Sequence, residues 1–160
     1  TICVFLLIGA TDSPQNLGDI TVNSINVVDE NGDLRAVIKS LKSGGFIASI
    51  NSLGKWSSVL GVDEEGSGFV QTLNNMGEQV ILLGTNSSNG GVIKTSNAQG
   101  MLTSYVGTSA DEAGIIKTFN NNQKMTAFCG TDKDQEGVIL LSDYNGDLAW
   151  GRFGKQEIKY

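Results

Sequence analysis

The stretch GFVQTLNNMGEQVILLGT, residues 68–85, is followed by GVIKTSNAQGMLTSYVGT at 91–108 and GIIKTFNNNQKMTAFCGT at 114–131. Reading these three as one sentence repeated decides the fold. Their leading glycines belong to a series, Gly45, Gly68, Gly91, Gly114 and Gly137, spaced 23 residues apart, and are expected at the repeat turns. A fixed period in this range marks a repeat architecture. Gly54, Gly77, Gly100 and Gly146 fall nine places on, with Gln123 the one departure, and Gly61, Gly84, Gly107 and Gly130 fall sixteen places on.

Each leading glycine precedes an apolar, mostly β-branched pair: Phe46-Ile47, Phe69-Val70, Val92-Ile93, Ile115-Ile116 and Val138-Ile139. Such residues favour a pleated strand. Thr72, Thr95 and Thr118 share a face with Val70, Ile93 and Ile116, because strand side chains two apart point the same way. Asn51, Asn74, Asn97, Asn120 and Asp143 then recur three residues before the second glycine position. Their side chains can accept a bond from a backbone N–H just ahead while glycine takes positive φ, which is turn chemistry. A second strand ends in Val59-Leu60, Leu82-Leu83, Tyr105-Val106 or Phe128-Cys129 before the third glycine. No segment shows a 3.6-residue period, so the chain is expected to be all-β, each unit a hairpin.

An earlier unit is legible where Asp29-Glu30-Asn31-Gly32-Asp33-Leu34 matches Asp143-Tyr144-Asn145-Gly146-Asp147-Leu148. This puts Ile25 on a first strand and Val37-Ile38 at the end of a second. The chain divides into an apolar N-terminal segment and linker, 1–19, and a β-hairpin repeat domain of about six units, 20–160. A lone hairpin is marginal in water, so the units must bury apolar surface against one another. Stacking into an elongated solenoid or prism is the expected solution, with strands about 4.8 Å apart giving roughly 48 Å over five units. Phe69 and Leu73 lie on one strand face and Val70 on the other, and a sheet apolar on both faces needs cover on both. Self-association into a homo-oligomer, either a closed trimer or an open filament, supplies that cover.

Residues 20–38, ITVNSINVVDENGDLRAVI, resemble bacterial secreted β-hairpin repeat proteins with hydrophobic-x-Asp-x-x-Gly-x-x-Arg-Ala-x-Leu-Gly units. Val28, Asp29, Gly32, Arg35, Ala36 and Ile38 carry the match. The last unit, Leu141 to Trp150, looks like the closing unit of that group, whereas the middle units depart with Asn for Asp and without Arg-Ala. The resemblance implies fold and secretion, hence an extracellular or cell-surface location, and no activity. Shafts of phage tail fibres and trimeric adhesins look similar at the level of the hairpin repeat.

Length and composition agree with a folded chain: 160 residues, 39% hydrophobic and 18% charged, with 21 glycines and one proline. A net charge of −6 disfavours a nucleic-acid backbone or an anionic membrane surface as partner. The chain has no histidine, the commonest general base, and shows no nucleophile signature, so no catalytic residue and no cofactor is expected. Cys3 and Cys129 lie in apolar surroundings without a C-x-x-C pattern and read as small buried hydrophobes, with a bridge within or between chains as the alternative. The head, TICVFLLIGA, is short of the about 20 residues a membrane helix needs. Exposing Ile2, Val4, Phe5, Leu6, Leu7 and Ile8 would cost about 1.5–3 kcal/mol each. These six are therefore the candidate assembly residues, buried in their own chain or in a neighbour, whether as helix, strand or processing remnant.

Three surface features offer chemistry. Acidic loops at Asp63-Glu64-Glu65, Asp111-Glu112 and Asp132–Glu136 share one phase and could hold Ca²⁺ or face a glycan. The Thr85–Asn89 loop lacks a carboxylate, and solvated loops that discourage edge pairing are the plainer reading. Trp56, Tyr105, Tyr144 and Trp150 could stack on sugars, but the places equivalent to Trp56 hold Gln79, Leu102, Met125 and Leu148. Core or capping roles are therefore expected for them. Asn86-Ser87-Ser88 matches a glycosylation sequon. Two functions follow from the pattern: a structural subunit of an extracellular fibre, and a secreted adhesin or carbohydrate-binding module. They differ over the head, which only the first needs for assembly.

Overall fold

The computed structural model describes residues 18, 19 and 21–154. The head residues Ile2, Val4, Phe5, Leu6, Leu7 and Ile8, and Cys3 among them, lie outside these. Twelve strands follow in chain order: β1 (Ser24–Val28), β2 (Leu34–Ser40), β3 (Gly45–Ile50), β4 (Trp56–Val62), β5 (Gly68–Leu73), β6 (Gln79–Thr85), β7 (Gly91–Ser96), β8 (Leu102–Thr108), β9 (Gly114–Phe119), β10 (Met125–Thr131), β11 (Gly137–Ser142) and β12 (Leu148–Phe153). They form one open antiparallel sheet in which every strand pairs with its sequence neighbours. The expectation of an all-β chain of hairpins holds, and the described strands form one layer.

The turns explain why the chain reverses where it does. At Asn51 the backbone N–H donates to Lys55 O (2.8 Å) and Gly54 N–H returns to Asn51 O (3.0 Å). Asn51 Oδ1 accepts from the N–H groups of Leu53 and Lys55. Gly54 sits at φ 73°, which a residue with a Cβ adopts only at a cost. The loops between hairpins use the same five-residue device: Asp63 Oδ1 accepts from Glu65 and Ser67, and Gly66 takes φ 89°. Polar turns and acidic loops look distinct in sequence, yet apart from the tight Leu41–Gly44 reversal the two edges share one grammar. Gln123, the departure from glycine, adopts φ 59°, and Asn89, Glu112 and Gln135 do the same at the other edge.

Several expectations need correction here. Gly45, Gly68, Gly91, Gly114 and Gly137 do not make the turns; each is the first residue of an odd-numbered strand from β3 on. From Gly68 onward the left-handed residue lies two places earlier in each case. The even strands β4, β6, β8 and β10 continue one residue beyond the third glycine, so Gly61, Gly107 and Gly130 pair within the sheet, with Phe46, Ile115 and Val138 among their partners. A β-bulge follows each hairpin turn, as where Ser49 pairs with Ser58 but Ile50 with Trp56, leaving Ser57 extra.

The two faces of the sheet differ. On one, here the inner face, lie all the buried apolar strand residues: Val37, Phe46, Ala48, Val59, Val92, Ile115 and Val138. No second layer exists among the described residues, so this burial comes from neighbours on the same face. The third glycines allow this close packing. A Cβ on Gly107 would stand 2.4 Å from Gly91 O, and one on Gly130 would stand 2.7 Å from Gly114 O. Large side chains on odd strands thus alternate with glycines on even ones: Phe46 and Phe69 both reach over Gly61. The Phe46 and Trp56 rings meet at 5.2 Å, and Lys39 and Lys117 lay their ammonium groups over the Phe46 and Phe128 rings.

Candidate functional site

The outer face is built by parity. If Phe46 and Ala48 point inward, then Gly45, Ile47 and Ser49 point outward, and pairing carries that choice from strand to strand. Ile25 pairs with Ile38, Ile38 with Ile47, Ile47 with Leu60 and Leu60 with Val70. The row continues through Leu83, Ile93, Val106, Ile116, Cys129 and Ile139 and ends at Arg152 on β12. One unbroken line of aliphatic residues, interrupted by Cys129 alone, therefore crosses the sheet. Its aliphatic members are between 39% and 50% exposed, whereas Val59, beside Leu60 on the opposite face, is 2% exposed.

A second row runs beside the ladder toward the hairpin turns, with Ser49, Ser58, Thr72, Ile81, Thr95, Ser104 and Thr118 at its centre, hydroxyls broken by Ile81. Many of these hydroxyls satisfy one another. Ser49 Oγ lies 2.8 Å from Ser57 Oγ and 2.7 Å from Ser58 Oγ. Thr95 Oγ1 lies 2.8 Å from Thr103 Oγ1 and 2.7 Å from Ser104 Oγ, and Thr118 meets Thr126 at 2.9 Å. Covering them costs less than covering lone hydroxyls, because their partners go with them. The third row carries the leading glycines on odd strands, alternating with Val62, Thr85, Thr108 and Thr131 on even ones. Apart from Arg152 these rows hold no ionisable side chain other than the Cys129 thiol, while the inner face carries Lys39, Lys94 and Lys117.

The other candidates from sequence fare differently. Cys129, expected to be buried, is exposed and free, because parity puts it on the ladder between Ile116 and Ile139. Trp56 and Trp150, expected in core or capping roles, are both about half exposed and lie on opposite faces, so they form no shared platform. Trp56 packs on Phe46. In the acidic loops the leading carboxylate caps its own turn: Asp132 Oδ1 accepts from Asp134 and Glu136, and in the loop holding Asp111 that role falls to Ser109 Oγ. Among the described residues no three of His, Cys, Asp and Glu gather as metal ligands.

Among the described residues the Asp29 carboxyl is displaced. It is held below the usual carboxylate range first by the Arg35 guanidinium that donates to it; desolvation opposes this as the next-largest effect, and the N–H groups of Asp33 and Asn31 lower it further. Arg35 also donates to Asn51 O at 3.0 Å, so this resemblance-bearing pair ties the first turn to the next. The middle units achieve the same link with asparagine. Asn74 Nδ2 donates to Ala98 O (3.0 Å) and Asn120 Nδ2 to Tyr144 O (2.9 Å), which an aspartate in that place could not do. In comparisons with known proteins, no family model and no curated protein matches the chain.

Proposed function

We propose that this chain is a non-enzymatic extracellular structural protein, a subunit of a surface fibre or filament held together by packing of its β-repeats and by the apolar N-terminal segment. The observation that carries this reading is the exposed aliphatic ladder running from Ile25 to Ile139. A contiguous apolar band of this extent marks an interaction surface. Repetition suits a surface that must be long, and the shared turn grammar suits one that must be regular. Assembly of several single-layer sheets would then complete the elongated solenoid or prism that the repeats suggest. The extracellular placement rests on the resemblance to secreted hairpin-repeat proteins.

The test is negative-stain electron microscopy of the full chain beside a chain starting at Thr11. Rods or filaments that disappear on truncation are the expected result, giving the head its role. Small monomers in both samples would overturn the proposal and return attention to glycan binding along the acidic loops.

A further inference from the structure

The leading glycines pose a problem that the described residues do not solve. Gly45, Gly68, Gly91, Gly114 and Gly137 stand in one phase, yet a Cβ at any of them would meet nothing within 4 Å. None has positive φ. Glycine inside a strand weakens it and characteristically marks a close approach by another backbone or ligand. The third glycines satisfy that rule inside the sheet, at Gly107 and Gly130. The leading glycines open their strands, and the space a side chain would fill at each is empty among the described residues, although all five are exposed on the same face as the ladder.

We infer that the outer face docks against the outer face of a second copy of this chain, with the leading glycines as the notches of the contact. The inference rests on the structural-subunit reading above and names the surface that performs it. Three observations select this occupant. In the glycine row, notches alternate with β-branched knobs, Val62, Thr85, Thr108 and Thr131, so notches and knobs each recur every second strand, about 9.6 Å apart. A partner filling the notches must present knobs at that same period, and this row does so itself; a two-fold contact displaced by one strand seats knobs in notches on both sides. The three rows across twelve strands cover on the order of 900 Å², from strand spacings of about 4.8 Å and same-face rows about 6.7 Å apart. That is close to the about 800 Å² each partner gives to a stable interface. Finally, at a net charge of −6 two copies repel through most surfaces, and this is the one sheet face whose central rows are free of carboxylates and ammonium groups.

The experiment compares the full chain with its Gly91→Thr/Gly114→Thr variant by sedimentation velocity over a concentration series, alongside urea unfolding of each at a concentration where it is dissociated. The expected result is association weakened by about tenfold or more with the unfolding midpoint unchanged or raised, since threonine suits an exposed strand. If the variant associates as well as the parent, the inference fails while the structural-subunit reading stands. If the parent is monomeric throughout, both fail. If the variant unfolds at lower urea, the glycines serve the fold of the single chain and the inference is overturned.

Discussion

Val92 and Ile93 are consecutive residues of β7 and belong to different worlds. Val92 is buried among side chains of its own sheet, while Ile93 stands 44% exposed with an isoleucine-like neighbour on each side. The same split divides the glycines: Gly107 sits where a methyl group would strike backbone, and Gly114 where it would meet nothing. One face has been fitted to itself, and the other, we infer, to a second copy of the chain. Among the described residues the sheet is a single layer, which makes this contrast visible.

The sharpest break between the faces should come from their glycines. Gly107→Ala is expected to destabilise the chain by about 3 kcal/mol, as overpacking against rigid backbone does, while Gly114→Ala should cost nothing or gain up to about 1 kcal/mol. Urea denaturation of both variants checks this; equal losses would mean that the open space beside Gly114 is not real. Next in size, Val92→Ala should cost about 2 kcal/mol and Ile93→Ala less than about 1 kcal/mol in the dissociated chain. Under associating conditions the order should reverse in sedimentation, with Ile93→Ala the more damaging.

The turns belong to both faces, and their effects should be smaller. Gln123→Gly relieves a left-handed glutamine, a conformation that costs roughly 1 kcal/mol for a residue with a Cβ, and should raise stability by about 0.5 kcal/mol after the entropy glycine loses. A thermal melt that moves downward would contradict the turn assignment. The smallest effect is electrostatic. Because Asp29 is held below its ordinary range in the folded chain, its contribution is complete above the unfolded value and disappears as pH falls through the lowered one. Acidification should therefore loosen the β1–β2 hairpin first, seen as faster amide exchange at Asn31 and Asp33, with the outer face unaffected because it carries no carboxylate in its central rows. Exchange at those amides that ignores acid would separate Asp29 from the stability of its turn.

Much of the fold is legible in the sequence because it repeats. The β-branched pair after Gly68 or Gly91 and the Asn–x–x–Gly pattern each have a local physical cause, so their positions translate directly into strands and turns. The candidate surface is harder to read. Parity makes Val70 and Leu83 share a face, but nothing local says that they pair, nor which of two apolar faces will bury its side chains. On the buried face Gly61, Gly107 and Gly130 make room for neighbours whose contacts come from other strands. The common grammar of the two edges is hidden for a related reason: Asp63, Asn86, Ser109 and Asp132 all cap their turns with a side-chain oxygen, and Asn89, Glu112 and Gln135 take glycine's conformation without being glycine. Cys129 is exposed because an apolar position in this repeat can belong to the outer face.

That cysteine offers the most direct test of the central claim, that the outer face is covered by another copy. In a Cys3→Ser background, Cys129 is the sole thiol and stands on the ladder. Its rate of maleimide labelling should be followed as protein concentration rises through the association range. The account requires labelling to slow in step with association and to return to the free rate on dilution. A thiol that reacts equally fast in the fully associated protein would show that the ladder stays open to solvent, and the face-to-face assembly would be contradicted.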